Sequence, residues 1–169
     1  CPHAQVYLPR CMSAFVGADI TTALLASGIC SKPDTRMLVD IGTNGEIALW
    51  HRGQLSCCST AAGPAFEGAG LSMGMAGKTG AVDHVRVQDG ALQAHVIGGG
   101  APKGICGSGV IDALACLVEL EQLDETGLLE QDPAPVAPPV CLTQKDVRMV
   151  QLAKSAICAG LSTLLRVEG

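Results

Sequence analysis

The sequence predicts an α/β fold of mixed α+β order, a β-meander plus a separate hairpin packed with helices. Three observations lead there. Apolar, β-branched runs alternate with Asn44-Gly45, Arg52-Gly53 and Asp89-Gly90, dipeptides typical of tight turns between strands. Helical spacing of apolar residues marks other stretches, most clearly Val147, Val150, Ala153, Ile157, Leu161 and Leu164. And a chain of 169 residues hides roughly two thirds of its unfolded surface, which supports one domain and hardly two.

The elements follow in order. Residues 1–12, with Pro2 and Pro9, make an irregular lead-in. Asp19 is a good N-cap for a first helix through Ile20, Leu24 and Leu25, with Gly28 just past its end. The run Met37 to Ile41, the segment Gly42-Thr43-Asn44-Gly45 and the run Glu46 to Trp50 read as a hairpin, with Asn44 and Gly45 both expected at positive φ. Arg52-Gly53 turns the chain into Leu55 to Ser59 and completes a three-strand meander. Residues 61–81 hold seven glycines or prolines among small residues and read as ordered loop. Val85 to Gln88 and Leu92 to Ile97 form a second hairpin around Asp89-Gly90. Gly107-Ser108-Gly109 opens a helix with Val110, Ile111, Leu114, Leu117 and Val118 on one side and Ser108 as its cap. Residues 130–141 contain four of the nine prolines and read as a polyproline-type connector inside a single domain spanning 1–169. Thr143 and Asp146 resemble a capping box for the long last helix.

Composition narrows the function. With 48% hydrophobic residues and a mean hydropathy of +0.35, the chain is not disordered. No apolar run reaches the roughly 18 to 20 residues of a membrane span, and no signal segment opens it, so a soluble, cytoplasmic protein without a membrane partner is expected. The net charge of -5 and the four aromatics Tyr7, Phe15, Trp50 and Phe66 speak against nucleic acid, which needs neutralised phosphates and stacking platforms. Nine cysteines are scattered and odd in number, and none shows the two-residue gap of a zinc or iron-sulfur ligand set, so they read as reduced core thiols. The chain begins at Cys1 without Met and stops right after a long helical pattern, so it is expected to be a piece of a longer polypeptide.

Sixteen of the 21 glycines fall between Gly42 and Gly109, which concentrates close-approach loops in one region. In Asp40-Ile41-Gly42-Thr43-Asn44-Gly45-Glu46, Gly42 and Gly45 let backbone N–H groups face a ligand, a phosphate-cradling arrangement. Asp40 at the strand end suits Mg²⁺, and Thr43 suits a phosphate oxygen; the same residues would also serve a plain hairpin with a solvated Asp. Gly107, Ser108 and Gly109 at a helix start suit an anion, or equally an ordinary capped loop. The long loop Cys58 to Gly68 can line a cleft, with Glu67 its only carboxylate and a candidate for catalysis or metal positioning. Two patterns fail: Gly77-Lys78-Thr79 has Ser72 where a P-loop needs its leading glycine, and the third glycine of a dinucleotide motif falls on Lys103 or Asp112.

Together the segments Met37 to Glu46, Cys58 to Ala69, Gly104 to Asp112 and Leu142 to Arg148, with Gln151 to Lys154, resemble the ATP-dependent reductive activators of corrinoid proteins. These belong to the acetate and sugar kinase, heat-shock-cognate and actin superfamily, ASKHA. The resemblance spans about residues 12–169 and rests on four motifs in order. It implies one actin-like, ribonuclease H-like lobe, the second of two that close over ATP and Mg²⁺. Asp40 then lies near the metal, and Gly42, Thr43 and Asn44 near the phosphates. It also implies an activity in the full-length protein: ATP hydrolysis drives an electron from an iron-sulfur centre to corrinoid cobalt, Co(II) to Co(I). The implied partner is a corrinoid protein, methyltransferase-associated or a corrinoid iron-sulfur protein; a homodimer is one candidate assembly, and the sequence does not fix the oligomeric state. The ferredoxin-like cysteines of a 2Fe-2S cluster, a first lobe and a downstream adenosine segment are not in this sequence. The isolated chain is therefore expected to carry no cluster, to be inactive and to bind nucleotide weakly or not at all; micromolar affinity for Mg-ATP would contradict that. Two other readings compete: a small-molecule kinase of the same superfamily, and a non-catalytic nucleotide-sensing or docking module.

Overall fold

The computed structural model of the chain describes residues 3–168. They fall into two compact units, the chain up to Ala61 together with Ala156 onward, and Ala62–Ser155.

The first unit holds α1 (Ala18–Ser27) and an antiparallel meander of β1 (Arg36–Ile41), β2 (Gly45–His51) and β3 (Gln54–Thr60) in sheet order β1-β2-β3. The meander is as the apolar runs predict, because successive side chains alternate faces. Ile47 and Leu49 pack with Leu164 on one face, while Ala48 between them packs with Val16, Ile20, Leu24 and Ile29 on the other. Each fully buried Ile or Leu of this kind contributes about 1.5–3 kcal/mol. Gly28 ends α1 at φ 61° and returns its N–H to the Leu24 carbonyl, as expected. The start of α1 differs from expectation: Gly17 is the N-cap and Asp19 lies inside the first turn.

The first hairpin also differs. Ile41 pairs with Gly45, so the turn is the three residues Gly42, Thr43 and Asn44. Neither Asn44 nor Gly45 is among the positive-φ residues. Gly45 is extended in β2, and it is glycine for space, since a Cβ there would crowd Thr60 Oγ1 and Ile157. Asp89 and Gly90, by contrast, take φ 53° and 75°, as a two-residue turn requires.

The second unit is built on a sheet of order β5-β4-β6, from β4 (Ala81–Gln88), β5 (Ala91–Val96) and β6 (Gly104–Ile105), with β6 parallel to β4. Helix α2 (Gly107–Glu119) packs on β4 and buries Val110, Ala113, Cys116 and Leu117. Its N-cap is Cys106 and not Ser108, whose Oγ donates to the Asp83 carbonyl at 2.8 Å. Where the prolines predict a connector, the chain forms a hairpin of β7 (Ala134–Ala137) and β8 (Val140–Leu142). Ala134, Val136, Val140 and Leu142 are buried while Pro135, Pro138 and Pro139 are exposed. The strand alternation is present, and the prolines occupy its solvent side and its turn, where no ladder hydrogen bond is needed.

Helix α3 (Gln144–Glu168) runs through residues of both units. Its start is as predicted: Asp146 Oδ2 accepts from Thr143 N–H and from Thr143 Oγ1, both at 2.8 Å. Among the described residues no helix is long and apolar enough to cross a membrane.

Candidate functional site

The Gly42–Asn44 turn lies at the tip of the meander, closed by Gly42 N–H donating to the Asn44 carbonyl at 3.2 Å. Asp40 and Glu46 are opposite each other in the β1–β2 register, flanking this tip. Asp19, in the first turn of α1, completes a group of three: one carboxylate oxygen from each of Asp19, Asp40 and Glu46 lies within 4.8 Å of the others. Asp19 and Asp40 are exposed and Glu46 is half-buried. The Gly17 N–H donates to Glu46 Oε1 at 3.2 Å, which ties the start of α1 to the strand carrying Glu46.

Three carboxylates with no nitrogen or sulfur donor suit a hard cation, Mg²⁺ or Ca²⁺, and not a thiolate-seeking metal. Their mutual repulsion is relieved by a cation placed among them. Beside the turn is a cavity of about 530 Å³ lined by Phe15, Val16, Asn44 and the stretch Cys57 to Ala61, within the range of small-molecule sites. Burial pushes the Cys57 thiol above its ordinary pKa, with Cys58 and Cys30 adding to the effect, and burial does the same for Cys58. Both are neutral at pH 7, so the cavity wall offers them as polarizable, uncharged contacts.

The remaining sequence-predicted residues belong to the second unit. Glu67 is the exposed last residue of a short 3-10 turn, Pro64–Glu67, packed against α2. Gly107 and Gly109 are buried, and a Cβ on either would overlap a backbone carbonyl, of Phe66 and of Val82 respectively. Close packing therefore demands both glycines, independently of any anion at the helix start.

The structure thus gathers Asp40 with two carboxylates not assigned from the sequence. Glu46 is readable in retrospect, because a three-residue turn after Ile41 sets it opposite Asp40. Asp19 carries no such signal, since it lies 21 positions upstream and reads locally as a helix cap.

A family model described as the C-terminal domain of RACo, the ASKHA domain, matches residues 34–169. The corrinoid activation enzyme RamQ of Eubacterium limosum is 38% identical over 191 residues, covering 96% of this chain and 32% of RamQ. The [Co(II) methylated amine-specific corrinoid protein] reductase of Methanosarcina barkeri is 29% identical over 189 residues, covering 99% of this chain and 35% of the reductase. A solved structure titled reductive activator for corrinoid, iron-sulfur protein matches with a TM-score of 0.86 and 32% identity, over 96% of this chain and 30% of that one. The chain spans about a third of the length of the curated relatives it matches.

Proposed function

Because the chain belongs to the family of the RACo C-terminal ASKHA domain, we propose that it is the nucleotide-binding part of a longer ATP-dependent activator that reduces the cobalt of a corrinoid protein from Co(II) to Co(I). The observation that carries this reading is the carboxylate group of Asp19, Asp40 and Glu46 around the Gly42–Asn44 turn.

In this reading the turn takes the phosphates of ATP, with the Thr43 side chain and the Asn44 N–H facing their oxygens, while the Gly42 N–H closes the turn on the Asn44 carbonyl. Asp40 would hold Mg²⁺, directly or through water, with Glu46 and Asp19 as further oxygen donors beside it. Mg²⁺ supplies neutralisation of the phosphate charge during hydrolysis. Glu67 and Gly107 to Gly109, in the second unit, are assigned to nucleotide binding in their own right, Glu67 positioning water and the start of α2 facing anionic oxygens. Both units together are assigned to one actin-like lobe.

The described residues do not fit an iron-sulfur cluster. It needs four thiolates together, and the one group of three or more ligand side chains found among them is carboxylate. The electron is therefore assigned to a cluster domain of the parent protein, which delivers one electron per cobalt. ATP hydrolysis contributes through differential affinity, since a nucleotide state that favours one arrangement of the activator binds the corrinoid partner differently. The described cysteines are free thiols, which supports a reducing, cytoplasmic setting.

The test is Asp40→Ala in the full-length protein. Loss of ATP hydrolysis and of corrinoid reduction together, each by at least 100-fold, is expected. Retained cobalt reduction without ATP turnover would replace this reading with that of a non-catalytic docking module.

A further inference from the structure

His84 and His95 are direct partners across the β4–β5 ladder, just past the irregularity between Val82 and His84. Opposed residues of an antiparallel pair leave the sheet on the same face with Cβ atoms about 4.5–5.5 Å apart. Both imidazoles are held through the same ring atom. His84 Nδ1 lies 3.0 Å from Asp112 Oδ2, and His95 Nδ1 lies 2.6 Å from Asp83 Oδ1.

An ionised carboxylate only accepts, so each Nδ1 carries the proton and each neutral ring presents Nε2 as a lone pair. The carboxylates are anchored in turn. Asp112 Oδ2 also accepts the Val85 N–H at 3.3 Å, and the Asp83 side chain is only 20% exposed. Both rings line one cavity of about 530 Å³ together with Arg86, Gln93 and Asp112. A carboxylate on Nδ1 and an open Nε2 is the arrangement that orients metal-ligating histidines and raises their basicity.

We propose that His84 and His95 chelate a divalent first-row transition metal ion of the Zn²⁺, Ni²⁺ or Cu²⁺ class through their Nε2 atoms, with Asp112 and Asp83 as positioning residues. Imidazole suits these ions, whereas Mg²⁺ and Ca²⁺ take oxygen. The positive charge of Arg86 on the same face is offset by the two aspartates. The remaining coordination positions go to water or to a donor from a ligand in the cavity. This site is independent of the carboxylate group proposed for Mg²⁺, whose donors are all oxygen.

The experiment is calorimetric titration of Ni²⁺ into the full chain and its variants, in the presence of excess Mg²⁺. The wild type should bind one more equivalent than the His84→Ala/His95→Ala double variant. Each single His→Ala variant should weaken that equivalent at least ten-fold, and Asp112→Asn about 10–100-fold. Both histidines are exposed, so metal-free thermal unfolding should be unchanged in the variants and establish that they are folded. Equal stoichiometry in wild type and double variant would overturn the site, and so would a loss confined to one histidine, which leaves no chelate. An unchanged affinity in Asp112→Asn would overturn its positioning role.

Discussion

Asp146 is the buried charged side chain among the described residues, 1% exposed. It accepts from Thr143 N–H and Oγ1, and from Ser72 N–H at 2.7 Å and Ser72 Oγ at 3.1 Å. The sequence shows half of this, since the Thr143–Asp146 spacing reads as a helix start. Ser72 lies 74 positions away and only the fold brings it in. Removing the carboxylate strands two backbone N–H donors in a low-dielectric setting. Asp146→Ala should therefore cost about 2–4 kcal/mol in chemical denaturation, with Asp146→Asn recovering part of it, and a loss below about 1 kcal/mol would contradict the account. Cysteine chemistry is also decided residue by residue. Cys11 and Cys158 are exposed and Cys106 and Cys116 buried, while burial pushes the Cys116 and Cys57 thiols up. Because the thiolate is the nucleophile, iodoacetamide at pH 7.5 should label Cys11 and Cys158 first and Cys116 last, as read by mass spectrometry.

At the scale of elements, strands and helices with strong periodicity are legible: β1 to β5, α1 and α3 lie where the apolar pattern puts them, within a few residues. What escapes is whatever depends on space and not on local preference. Asn44-Gly45 carries a two-residue turn signal, yet the turn forms one step earlier because Gly45 is needed inside β2 against Thr60 and Ile157. The β7–β8 hairpin is hidden by prolines on its exposed face. Gly107 illustrates the same principle at a helix start, where the Phe66 carbonyl occupies the space of a Cβ. Gly107→Ala should cost about 2–4 kcal/mol as the Pro64–Glu67 turn is forced away from α2. Ser108→Ala removes one hydrogen bond to the Asp83 carbonyl and should cost about 1 kcal/mol. Equal stabilities of the two variants by urea denaturation would contradict a packing role for Gly107.

At the scale of the whole molecule, the order of four motifs identifies the family from sequence, and the fold likeness at a TM-score of 0.86 agrees with it. The site is only partly legible. Asp40 and the glycine turn stand out as a local motif, but the carboxylates that join them come from the opposite strand and from a helix 21 positions upstream, so their convergence is a property of the meander and α1 together. The central claim, a Mg²⁺–phosphate site at this tip, is tested most directly by the Mg²⁺ dependence of ATP hydrolysis in the full-length protein carrying Glu46→Gln. Glu46 is held by Gly17 N–H, a bond that a glutamine carbonyl can keep, so the variant removes charge and little else. The account predicts that the Mg²⁺ concentration for half-maximal rate rises at least ten-fold, with the rate largely recovered at saturating Mg²⁺. An unchanged Mg²⁺ requirement would contradict it.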